Sequence, residues 1–204
     1  MLQYEAIEPA TLELLKKLML QPFLNKFCLV GGAAIALQLG HRISVDLDMF
    51  TLEDFDSDKL LIRLRNHFKY IEPKVKTTNT LILTLENIKT DFIKFHHPFS
   101  YPFVVYDNIR LLNLKDIAPM KLDAITGRGK KKDFYDLYFL LQQCTLPGML
   151  KLYREKYHHA TIFHVIKSLT WFADAEKDPE PMVLDKKVNW NIVKYTIVSA
   201  VNKL

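Results

Sequence analysis

The run Lys26-Phe27-Cys28-Leu29-Val30-Gly31-Gly32-Ala33-Ala34-Ile35-Ala36-Leu37-Gln38-Leu39-Gly40, followed after a short gap by Ser44-Val45-Asp46-Leu47-Asp48-Met49-Phe50, decides how this chain folds. Its first five residues are short and largely apolar, as a buried strand is, and stop at two glycines. Helix-forming residues follow, ending on Gly40, the residue that most readily closes a helix in the left-handed conformation. Strand, glycine turn and helix form one unit, and Ile43 to Phe50 reads as a strand returning beside it. Successive strand side chains point to opposite faces, so Ser44, Asp46 and Asp48 share one face while Val45, Leu47 and Met49 share the other.

Two carboxylates side by side repel each other unless a cation lies between them, and a divalent ion with oxygen ligands, Mg²⁺ or Mn²⁺, is the economical solution. An isolated pair of this kind is commonly just the solvent face of an edge strand. Here thirteen residues separate Gly31-Gly32 from Asp46, room for one helix and a return strand, so both can meet at the same sheet edge. Free N–H groups at a helix start attract anions, and glycine lets the phosphates of a nucleoside triphosphate approach closely. Asp91, an acid set in the apolar strand Thr90–Phe95, is the candidate third carboxylate, a metal ligand and base; the competing reading is an exposed acid just after a turn. The expected metal set is therefore Asp46, Asp48 and Asp91. Lys121 and Arg128 lie seven residues apart on or just past one helix, and Asp133 and Asp136 fall on one face of the next. Lys121 can clamp phosphate; the plainer reading is a solvated basic loop with Asp133 capping the following helix.

Around this centre the pattern predicts a helix over residues 9–20, another over Ser57–Phe68 capped by Asp56 or Ser57, and a hairpin from Thr80–Leu85 and Thr90–Phe95. Short extended pieces at Phe103–Tyr106 and Ile109–Leu112 lead to helices over 116–126, 132–143, 147–157, 161–172 and 190–202. The expected organisation is α+β, with a core over 1–107 and a helical region over 108–204. The 204 residues, 49% of them hydrophobic, suffice for a sizeable core. Charge is uneven: the first 107 residues hold 12 basic and 13 acidic side chains, the remainder 16 and 10, which favours a polyanionic partner. The acidic start lacks the features of a signal peptide and no stretch is long and apolar enough for a bilayer, so no membrane association and a cytoplasmic setting are expected. Cys28 and Cys144 read as small buried hydrophobes. The pairs His96-His97 and His158-His159 read as surface residues, and Trp171 and Trp190 as core.

The stretch Leu29–Phe50, together with Lys121-x-x-Ala124-Ile125-x-x-Arg128 and Lys132-Asp133-Phe134-Tyr135-Asp136-Leu137-Tyr138, resembles the motifs of the AbiEii/AbiGii nucleotidyltransferase-like toxins. The similarity spans about residues 27–142. It implies a polymerase-β-like nucleotidyltransferase core, with a small mixed sheet flanked by helices, followed by a C-terminal helical bundle. It also implies NTP-dependent modification of RNA, typically tRNA, and a cognate antitoxin. By position, Gly31, Gly32 and Ser44 would bind nucleotide phosphates with Lys121 and Arg128, Asp46 and Asp48 would bind metal, and Lys121 with Asp133 or Asp136 would complete the catalytic set, Asp91 being a further transfer. Ala33 departs from the pattern, standing where related transferases often carry a hydroxyl. Alternatives in view are a protein or small-molecule acceptor, and a catalytically silent binding module on the same fold.

Overall fold

Pro9–Met19 folds as α1, with proline in its first turn, where a missing N–H costs nothing. The wholly buried Cys28–Val30 is β1, and it runs straight into α2, Gly31–Leu39, which Gly40 closes at φ 65°. This computed structural model describes residues 1–158 and 161–204, and the chain is α+β, built on a seven-stranded mixed sheet.

The return strand, β2, covers Leu47–Thr51 rather than all of Ile43–Phe50. The shortfall has a backbone cause. Ile43 N–H donates to the Met182 carbonyl (2.9 Å), Ser44 N–H donates to the Ala6 carbonyl (2.9 Å), and the Ser44 carbonyl accepts from Glu8 (3.1 Å). Groups committed to those segments are lost to the sheet ladder. Next, α3 (Ser57–Arg65) starts at Asp56, whose carboxylate accepts from the N–H groups of Asp58 and Lys59.

Three strands then run as an antiparallel meander: β3 (Ile71–Thr77), β4 (Thr80–Leu85) and β5 (Ile88–Lys94). Glu86 and Asn87, at φ 49° and 67°, supply the left-handed pair that a two-residue hairpin demands. β3 was not foreseen in the sequence because Glu72-Pro73-Lys74-Val75-Lys76 has no apolar face; it is an edge strand, where proline and lysine block further pairing. A second hairpin joins β6 (Val104–Tyr106) to β7 (Ile109–Leu111) through Asp107-Asn108. The division expected at residue 107 falls in this turn, and β7 pairs with β1 in the main sheet.

The strand order is β3-β4-β5-β2-β1-β7-β6. β2 lies between β1, antiparallel, and β5, parallel, in a register that sets Asp48 beside Val30 on one side and Asp91 on the other. Five helices follow: α4 (Leu114–Gly127), α5 (Lys131–Leu140), α6 (Leu146–Lys156), α7 (Ile162–Leu169) and α8 (Trp190–Val201). α4 packs against α2 and against α5, α6 and α7, so it joins the sheet layer to the helical layer. Trp190 seats α8 among Phe134, Tyr135 and Phe172, at ring-centroid distances of 5.8, 5.9 and 5.6 Å. Trp171 corrects the expectation of a second core tryptophan: it stands beyond the end of α7, 61% exposed.

The helical layer is tied to the sheet layer by a buried ionic knot. Asp136 of α5 is fully enclosed and accepts from Arg42 Nε (2.7 Å) and Nη2 (3.1 Å), His41 Nε2 (2.7 Å) and Lys121 Nζ (2.8 Å). Asp133, one turn earlier, accepts from Lys121 Nζ (2.8 Å) and from Arg128 Nε (2.9 Å) and Nη2 (3.1 Å). Burial alone would raise both acids, yet the surrounding cations outweigh it, lowering Asp133 and holding Asp136 well below the ordinary 3.8. Burial pushes His41 down, against the opposing pull of Asp136, to which its Nε2 is hydrogen-bonded.

Asp136→Ala strands an arginine and a lysine without their counter-ion and is expected to cost about 3–5 kcal/mol, read from urea unfolding. The sign with pH follows from the depressed folded value: the Asp136 contribution is complete above the ordinary 3.8 and is lost as pH falls through the lower folded value. Acid unfolding of the wild type should therefore steepen below about pH 4, and Asp136→Asn should flatten that limb.

Candidate active site

A cleft of about 340 Å³ opens where the start of α2, the face of β2 and the length of α4 meet. Gly31, Gly32, Asp48, Lys121 and Arg128 line its polar part, and Phe50, Phe95, Met120 and Tyr157 much of the rest. Val30 is the residue before α2 and offers no side-chain cap, so the first N–H groups of the helix receive no capping side chain from it. Both glycines are required sterically. Gly31 sits at φ 65°, and a Cβ there would lie 2.3 Å from Asp48 Oδ2; a Cβ on Gly32 would lie 2.2 Å from Arg42 Nη2.

Asp48 and Asp91 are register partners on parallel strands, so their side chains share a face. Asp91 is 7% exposed; its Oδ2 accepts from Lys89 Nζ (2.9 Å), whereas its Oδ1 is buried with no partner among the described residues. Burial, then the charge of Asp91, pushes Asp48 up from the usual carboxylate range. An orphaned carboxylate oxygen beside a destabilised carboxylate is the environment a hard divalent cation relieves, and Mg²⁺ or Mn²⁺ needs only one or two protein carboxylates when phosphates and water supply the rest. The residues present fit such an ion. Among the described residues, no three histidine, cysteine, aspartate or glutamate side chains converge as a complete ligand set.

Asp46 stands apart from this pair. It precedes β2, lines a neighbouring cavity with Ser44, Lys130 and Met182, and its Oδ2 meets Lys132 Nζ at 3.3 Å. Its charge still reaches Asp48, raising it further. Ser44, expected at the phosphates, is buried and lines that second cavity with Asp46, not the cleft at Gly31-Gly32. Lys121 does line the cleft, but as a buried cation already shared by Asp133 and Asp136; Arg128 reaches the cleft with 57% of its side chain exposed. Asp133 and Asp136 have fully enclosed side chains, so they hold the cleft's cations in place and do not themselves face it.

Several residues in or behind the cleft were not singled out from the sequence. Lys89 was detectable, since it alternates with Asp91 on one strand face. Arg42 and His41 carry no local signal, because their partner lies 94 and 95 residues away. Asp123 and Tyr157 line the cleft from α4 and the end of α6, which only packing brings together. His96 and His158 are exposed, as expected; His97 is partly buried, its ring 4.5 Å from that of Tyr157, and His159 lies outside the described residues. No helix among the described residues is long and apolar enough to cross a membrane.

Comparison with known proteins bears on the family and the fold. The chain is 36% identical over 171 residues to an uncharacterised protein of Aquifex aeolicus (strain VF5), covering 81% of this chain and 83% of that one. Its fold is similar to that of JHP933 from Helicobacter pylori, with a TM-score of 0.59 at 17% identity over 97% of this chain and 92% of the other. It is also similar to MenT4, a nucleotidyltransferase toxin of Mycobacterium tuberculosis H37Rv, with a TM-score of 0.56 at 13% identity over 95% and 83% of the two chains. The family described as nucleotidyl transferase AbiEii toxin, type IV toxin–antitoxin system, matches residues 13–105 and 85–194. With that match spanning sheet and helices alike, the chain belongs to the AbiEii nucleotidyltransferase toxin family.

Proposed function

We propose that this protein transfers a nucleoside monophosphate from an NTP to a hydroxyl of RNA, with tRNA as the acceptor and an antitoxin as its cognate partner. The observation that carries the reading is the in-register pair Asp48 and Asp91 set against the uncapped start of α2. The N–H groups around Gly31 and Gly32 receive phosphate oxygens, and Lys121 and Arg128 add positive potential from the wall. A cleft of about 340 Å³ is within the range of small-ligand sites, and the rings of Phe50, Phe95 and Tyr157 offer the base an apolar wall.

Asp48 and Asp91 would hold Mg²⁺ or Mn²⁺, which supplies Lewis-acid stabilisation of the charge developing on the α-phosphate and departing pyrophosphate. The acceptor oxygen bonds to the α-phosphorus as the bond to the bridging oxygen of pyrophosphate breaks. Asp91, through the Oδ1 that has no partner among the described residues, would help hold the ion that activates the acceptor hydroxyl, whose proton passes to water. Asp46 tunes the field at Asp48 from the adjoining cavity, while Asp133 and Asp136 act by holding Lys121 and Arg128.

The test is incubation of the pure protein with each labelled NTP, Mg²⁺ and total tRNA, beside Asp48→Ala. Labelled tRNA from the wild type and at least 100-fold less from the variant is expected; equal labelling by both removes the assignment. Digestion of the product with RNase or protease separates an RNA acceptor from a protein one.

Asp48 also makes a stability prediction. A raised carboxylate favours the fold below the ordinary 3.8 and loses that contribution as pH rises through the higher folded value, so at neutral pH its charge weighs against the metal-free protein. Asp48→Asn should raise metal-free stability by about 1 kcal/mol while abolishing transfer. Mg²⁺ should raise the wild-type Tm and leave that of the variant unmoved.

A further inference from the structure

A third, smaller cavity of about 180 Å³ adjoins the cleft, and Arg128 lines both. Its other walls include Thr126, Lys167, Trp171 and Asp174. An indole 61% exposed is costly surface to leave in water, and Trp190, 8% exposed, shows where this chain puts a tryptophan that serves packing. The Trp171 N–H donates to Asp174 Oδ2 at 3.3 Å, so the ring is held by its polar edge with its faces available. Lys167 is one helical turn beyond Phe163, itself 67% exposed, on the open face of α7. Aromatic surface, flanking cations and continuity with the cleft thus occur together, in the half of the chain that holds 16 basic against 10 acidic residues.

We propose that Trp171, with Lys167 and Arg128, is a stacking subsite for a single-stranded segment of the acceptor RNA, which it leads toward Asp48 in the cleft. The subsite rests on the RNA-acceptor reading above. Unpaired bases have free π faces that stack on indole, and their phosphates meet the two cations; paired bases offer no such faces. Because Arg128 borders both cavities, an RNA strand seated at Trp171 arrives beside the cleft.

The protein has two tryptophans and Trp190 is enclosed, so quenching of intrinsic fluorescence reports on Trp171. Titration of the full chain with a single-stranded RNA of about ten nucleotides should quench that emission. By anisotropy of labelled RNA, Trp171→Ala should weaken binding about tenfold, and Trp171→Phe should recover part of the loss. Lys167→Ala should weaken it a few-fold and reduce the salt slope by about one. Mg²⁺-dependent NTP binding by these variants should match the wild type. Equal RNA affinity in the wild type and Trp171→Ala overturns the subsite and leaves the RNA reading standing. A wild type that labels a protein hydroxyl and binds no RNA overturns both. A concentration-dependent dimer in RNA-free sedimentation, lost in Trp171→Ala, assigns the surface to a second copy of the chain and likewise overturns the subsite.

Discussion

The Asp136 carboxylate, shut away from water and bonded to Arg42, His41 and Lys121, is the interaction on which the cleft is built. It ties the chain just after α2 to α4 and α5, and each tie has a consequence at the site. Arg42 is drawn so close to the start of α2 that only glycine fits at position 32. Lys121 is pinned between two acids, so its charge faces the cleft from a fixed position instead of from a mobile stem. Buried ion pairs contribute little net stability, because desolvation offsets attraction, but breaking one partner is costly. The knot therefore works mainly by fixing geometry.

On the other wall the balance is the reverse. Asp48 and Asp91 are placed together by strand register with Lys89 as the neighbouring counter-charge, and one buried Asp91 oxygen has no partner among the described residues. One half of the cleft is thus electrostatically satisfied and rigid, and the other is left short of positive charge. A fold tolerates such a local deficit when a ligand makes it good. The same deficit makes Asp48 a burden to the metal-free protein, a common trade between stability and activity.

Much of this was legible in the residues because it is local. β1, the glycine turn and α2 follow from a contiguous run, and Asp91 stood out as an acid within an apolar strand. The five C-terminal helices follow from apolar spacing. Other features were hidden for identifiable reasons. β3 lacks an apolar face because it is an edge strand. Alternation grouped Asp46 and Ser44 with Asp48, but the backbone of residues 43–44 bonds outside the sheet, and both side chains line the adjoining cavity. Trp171 was read as core because composition does not say which aromatic residue lacks a covering element.

By itself the sequence determined the order of the helices and of every strand but β3, the glycines at the turn, and membership of an α+β class, since periodicity and backbone freedom act over a few residues. Tertiary structure alone decided that Asp48 is set in register with Asp91, that Asp133 and Asp136 serve the cleft from behind, and that Arg42 presses on Gly32. These outcomes depend on strand register and on desolvation of charges nearly a hundred residues apart, and neither quantity exists until the chain has packed.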